Sequence, residues 1–168
     1  TDPRLQLPRI TAEAAGRTDL VKAQLKRTEA RATYVDEGDF LKALNVQSRI
    51  SVVSDPASLA RVAELFQRTT QFNTTGRTYA AGELARLAET GGGVFVMQVS
   101  DRYGDHGLSG AAILDGGVIT GFAMSCRVIG LKVERDLLAA VAAQAAMHGT
   151  ELRGQIIPTD RNTPVRNL

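Results

Sequence analysis

Three apolar segments, residues 94–99, 108–114 and 118–125, follow one another with only short turn-rich stretches between them. This series constrains the fold more than any other feature of the chain. Residues 94–99 form a nearly continuous apolar run, the pattern of a strand covered on both faces. The second and third segments are joined by Asp115, Gly116 and Gly117, a hairpin signal, because tight hairpin turns need the positive φ that glycine adopts freely. Strands joined in this way pair antiparallel, so the centre of the protein is expected to be a largely antiparallel sheet.

The flanking patterns supply the rest. Residues 49–53 read as a strand ended by Ser54, Asp55 and Pro56, a polar cap followed by proline at the first helical position. Leu59, Val62, Ala63 and Phe66 then fall on one helical face. A loop at 71–76 leads to a second helix near 80–88, closed by the glycines at 91–93. A long Ala-rich helix is expected over 132–148, with Val133, Leu137, Val141 and Ala145 spaced four apart and Gly149 as its stop. Residues 152–157 read as a final strand, and 158–160 as the start of a further helix. The order β-α-α-β-β-β-α-β-(α) implies an α+β fold, a mixed sheet with helices on both faces. Ahead of it, residues 11–31 form a polar helix with a thin apolar stripe (Leu20, Val21, Leu25), and a short second helix begins at Phe40. We therefore divide the chain into a helical linker or arm, 1–46, and a domain, 47–168.

The 168 residues are 43% apolar and 23% charged, which excludes bulk disorder. A net charge of +2 offers no argument for nucleic acid or an anionic membrane. The basic residues are 16 Arg and only 4 Lys, which leans toward anionic small ligands, since the guanidinium fork matches carboxylate and phosphate. One cysteine and two distant histidines give no internal disulfide and no metal-ligand spacing. With no 18-residue apolar stretch and no signal-peptide pattern, a cytoplasmic location is expected. A start at Thr1 points to a piece of a longer protein.

The richest chemistry lies at the join of strand and long helix: Cys126, Arg127, Val128, Ile129, Gly130, Leu131 and Lys132. A helix N-terminus presents free amides and the positive end of a dipole, so such a loop can hold a pyrophosphate. Gly130 would allow close approach, and Arg127 and Lys132 would add charge. A plain strand-to-helix turn accounts for the same residues, and Glu134 in the first turn counts against an anion. Cys126 reads as a small buried hydrophobe, or as a thiol activated by Arg127. Asp101, Asp105 and His106 cluster in an expected loop between strands, either as turn residues or, for Asp105 and His106, as a general base. Gln71, Asn73 and Thr74 could serve a ligand or stabilise their own loop.

Taken together, the motifs resemble a known family. The order of elements, with Arg127 and Gly130 opening the long helix, is similar to the Gcn5-related N-acetyltransferase (GNAT) fold. Several stretches resemble more narrowly the C-terminal region of FkbH-like proteins. They are residues 71–75, 101–108, 124–130, 133–134 and 158–165, and the likeness runs from about residue 20 to the end.

The resemblance implies the GNAT fold and, at residues 126–132, a loop that binds the pyrophosphate of acetyl-CoA, CoA or a carrier-protein phosphopantetheine. It implies that Gln71, Asn73 and Thr74 lie on the acceptor side, and that Asn162 corresponds to an asparagine near the thioester. Asx capping of the next helix accounts for Asn162 equally well. The partners it implies are an acyl carrier protein and an upstream haloacid dehalogenase (HAD) type domain. The implied pathway loads a glyceryl unit toward methoxymalonyl extenders in polyketide biosynthesis. The alternative is a non-catalytic module that docks the carrier protein for the HAD-type domain. Three departures stand out. No Asp-x-Asp nucleophile motif occurs, Lys132 sits where the family has Gly or Ala, and the expected tyrosine-bearing helix and closing hairpin are absent from the sequence, which points to C-terminal truncation.

Overall fold

A computed structural model describes residues 12–167, and the side chains of 16–166. The fold is α+β, built on one five-stranded sheet. In chain order the elements are α1 (Ala12–Ala32), α2 (Glu37–Leu44), β1 (Gln47–Val52), α3 (Pro56–Arg68), α4 (Ala81–Glu89), β2 (Gly93–Asp101), β3 (Gly104–Asp115), β4 (Val118–Met124), α5 (Glu134–Met147) and β5 (Arg153–Gly154). The strands lie in sequence order, β1-β2-β3-β4-β5. All neighbours are antiparallel except β4 and β5, which run parallel.

Local chemistry explains the well-formed ends. Asp55 caps α3 by accepting from the Ser58 amide at 2.9 Å, with Pro56 behind it. The β3–β4 turn is Gly116-Gly117, both at positive φ (54° and 83°), as a two-residue hairpin of this hand requires. The alternation of β2 then assigns the layers. Val94 and Val96 face α3 and α4, packing with Leu59, Val62, Phe66, Tyr79 and Leu84. Phe95, Met97 and Val99 face the other side, with Phe40, Leu44, Leu137 and Val141 from α2 and α5. Both faces of the sheet are therefore covered.

Three expectations need correction. The stretch around residue 105 is no loop, because β3 begins at Gly104 and pairs Asp105 with Ser100, leaving only a tight turn at Arg102 and Tyr103. The last strand shrinks to two paired residues, Arg153 and Gly154. The long helix does not open on Gly130. A 3-10 turn, Cys126–Val128, intervenes, Gly130 and Lys132 take positive φ (86° and 61°), and α5 starts at Glu134. The bulky Val128, Leu131 and Val133 are what delay it, since each is drawn into the core on the α5 side.

Candidate functional site

Beyond Gln155, whose amide still donates to the Ile119 carbonyl at 3.1 Å, the chain peels away from β4, and the free edge is filled by another segment. The Thr74 amide donates to the Phe122 carbonyl at 3.0 Å, and the Met124 amide donates to the Phe72 carbonyl at 2.9 Å. Asn73 thus forms an antiparallel bridge with Ala123. On its far side the Ile157 amide donates to the Thr74 carbonyl at 2.8 Å. Residues 72–74 therefore act as a wedge between β4 and the departing chain. Asn162, fully buried, pins the wedge, its Nδ2 donating to the carbonyls of Asn73 (3.0 Å) and Ile157 (2.9 Å). Its Oδ1 accepts from the Thr159 amide at 2.7 Å. Asn73 is likewise committed, accepting from the Gly76 amide at 3.0 Å and donating to the Arg77 carbonyl at 3.0 Å. The Thr74 hydroxyl is buried and has no hydrogen-bond partner.

Outside the wedge, at the end of β4, lies a cleft of about 590 Å³. Its walls are the C-terminal half of α3, residues 69–72 and the strand-end loop. Arg61 and Arg68 come from α3, Gln71 from the following loop, and Cys126, Arg127 and Ile129 from the loop after β4. Among the described residues the charges are three guanidiniums against one carboxylate, Glu64, which pairs with Arg68 at 2.7 Å. The Nε of Arg127 is buried without a hydrogen-bond partner. Such a wall suits an anion. Cys126 is exposed, so the reading of it as a buried hydrophobe does not hold.

The candidate residues divide between these places. Gln71, Cys126, Arg127 and Ile129 line the cleft. Val128 and Leu131 are buried in the core. Gly130 is exposed, and Lys132 points to α2, 3.7 Å from the Glu37 carboxylate. Glu134 and Asp136 occupy the first turn of α5, and Asp136 accepts from the Ser48 hydroxyl at 2.7 Å. The α5 dipole is thus already matched by the protein's own carboxylates. Asn73, Thr74 and Asn162 form the wedge and its pin. Asp105 is exposed and accepts from the Gly107 amide at 2.7 Å.

His106 is only 2% exposed and belongs to a buried charged cluster on the α1 side. Arg27 of α1, 6% exposed, pairs with Asp101 at 2.7 Å and contacts the His106 ring. Asp101 Oδ2 lies 3.0 Å from His106 Nε2. Burial pushes the Asp101 carboxyl up. The His106 and Tyr103 hydrogen bonds and the Arg27 charge outweigh that, holding it below the ordinary value of 3.8. Sequence reasoning missed Arg27, Arg61 and Arg68. The arginines of α3 lie seven apart, two helical turns, which was legible as one face, whereas Arg27 carried no signal on a polar helix.

No family model and no curated protein matches the chain. Among solved structures, it is similar to a Trypanosoma brucei acetyltransferase at 16% identity and a TM-score of 0.47, over 72% of this chain and 89% of that one. Among the described residues no cluster of side chains is suited to a metal ion, and no helix is long and apolar enough to cross a membrane.

Proposed function

We propose that the chain is a GNAT-like acyltransferase-type domain of an FkbH-like protein, whose cleft takes the phosphate-bearing arm of CoA or of a carrier-protein phosphopantetheine. One observation carries this reading: Arg127, from the loop after β4, converges with Arg61 and Arg68 of α3 on a single cleft. In this reading the guanidiniums neutralise the phosphates, and an acyl group is presented near Gln71 and the end of β4. The setting is glyceryl- or methoxymalonyl-carrier precursor chemistry in the cytoplasm, beside an upstream HAD-type domain.

The wedge favours a second reading. A pantetheine arm needs backbone partners, and the Phe122 carbonyl and Met124 amide of β4 are taken by residues 72–74. A domain with that edge closed would serve as a non-catalytic dock for an acidic carrier protein, using the same arginines.

Calorimetric titration of CoA and acetyl-CoA separates the two. Binding at about micromolar Kd that disappears in Arg127→Ala supports the first reading. Capture of a phosphopantetheinylated carrier protein with no CoA binding overturns it in favour of the dock.

A further inference from the structure

α1 has only a thin apolar stripe, and among its described side chains two are buried, Ala23 and Arg27, one helical turn apart. Burying a guanidinium is costly unless its donors are used. The Asp101 carboxylate meets the charge, accepting from Nε at 3.0 Å and lying 2.7 Å from Nη2. Nη1 is spent differently. It donates at 2.7 Å to the backbone carbonyl of Arg127, a hundred positions along the chain. That is a short, charge-assisted bond to the 3-10 turn that bears the cleft arginine.

The turn is also anchored by the fully buried Val128 side chain, but the Arg127 amide itself is held loosely. The Arg127 amide reaches only the Ser125 hydroxyl at 3.4 Å, and the Val128 amide reaches the Ser125 carbonyl at 3.1 Å. Displacing the Arg127 Cα from the turn would break the bond to Arg27 and carry the Arg127 side chain off the cleft wall. Arg27 itself cannot follow, because Asp101 and His106 hold it from the sheet side.

We infer that Arg27 is a positioning residue for the cleft: α1 delivers a guanidinium clamped by Asp101 and His106 that fixes the Arg127 backbone, and so aims the Arg127 side chain. The inference rests on the reading that Arg127 meets the anionic ligand, but its structural half is tested separately. α1 is on this view part of the framework of the cleft, and anything that displaces α1 from the sheet lowers the affinity of a site it does not line.

The test uses Arg27→Lys in the full chain, which keeps the charge but cannot serve the carboxylate and the carbonyl at once. Two quantities are read: amide hydrogen exchange at Arg127, Val128 and Leu131, and CoA affinity. We expect exchange in the turn to rise about tenfold and CoA affinity to fall about tenfold, while amides of β2 and β3 keep their protection. A purely structural role would loosen β2 and β3 along with the turn. An unchanged turn in folded Arg27→Lys, or uniform loosening, overturns the inference. If the wild-type chain binds no CoA, the functional reading fails, and the exchange data still decide whether Arg27 holds the turn. If Arg27→Lys does not fold, native-state exchange of the wild type in rising urea decides. Val128 and Leu131 must open at no higher cost than the amides of α1 near Arg27. Protection that outlasts the opening of α1 overturns the inference.

Discussion

The Nδ2 of Asn162 donates to the backbone carbonyl of Asn73 at 3.0 Å, joining parts of the chain 89 positions apart. Through this bond, an asparagine near the C-terminal end holds shut the edge of β4. Asn162→Ala would leave the carbonyls of Asn73 and Ile157 without that donor, and should cost about 1–3 kcal/mol of stability. Hydrogen exchange should report it locally, with the Thr74 and Met124 amides losing protection before the β2–β3 ladder does. If CoA needs the β4 edge, the same variant should bind it more tightly than the wild type.

Arg61 is exposed and lines the cleft two turns of α3 before Arg68. Arg61→Glu should weaken CoA binding about tenfold and flatten its salt dependence, with little change in stability because the site is solvated. Titrations at two ionic strengths check this. Equal affinity in both proteins would remove Arg61 from the anion wall.

The depressed pKa of Asp101 has a definite pH consequence. A carboxylate whose folded-state pKa is lowered stabilises the fold above its unfolded value, here 3.8, and that contribution is lost as pH falls below it. Asp101→Asn should therefore be less stable than the wild type at neutral pH, and its stability should fall less steeply between neutral pH and the acid range. Denaturant melts across this range measure both slopes.

At the alkaline end Tyr79 behaves in the opposite sense. Burial raises its phenol above 10.0, against the opposing hydrogen bond with Thr120. The neutral phenol donates to the Thr120 carbonyl at 2.8 Å. A raised folded-state pKa gives stability that is full below 10.0 and declines as pH rises beyond it. Tyr79→Phe should lose about 1 kcal/mol at neutral pH and show a flatter decline in strong alkali. The ultraviolet difference between the two proteins isolates the titration of this phenol.

Lys132 is held at φ 61°, where a side chain strains the backbone. Its ion pair with Glu37 joins two half-exposed groups and contributes little. Lys132→Gly should thus stabilise the protein by about 1 kcal/mol by relieving that strain. Thermal melts decide it, and a lower Tm would mean that the ion pair outweighs the strain.

What the amino-acid sequence settled by itself was local. Three apolar segments define β2 to β4, Asp55 and Pro56 start α3, and Gly116 and Gly117 turn the hairpin, because each depends on near neighbours and their intrinsic φ and ψ. The loop after β4 was found for the same reason, a strand end followed by Arg127 and Gly130. Its shape was not, because Val128, Leu131 and Val133 are drawn into a core made by distant segments, and that pull inserts a 3-10 turn before α5. Tertiary structure alone decided the functional grouping. It sent Asn73, Thr74 and Asn162 to a wedge, and His106 to a buried cluster with Arg27 and Asp101. It also brought Arg61 and Arg68 to face Arg127. Hydrogen-bond partners and charges that meet across 74 to 100 positions of chain leave no periodicity in the sequence, because they are selected by how whole layers pack rather than by any spacing along the backbone.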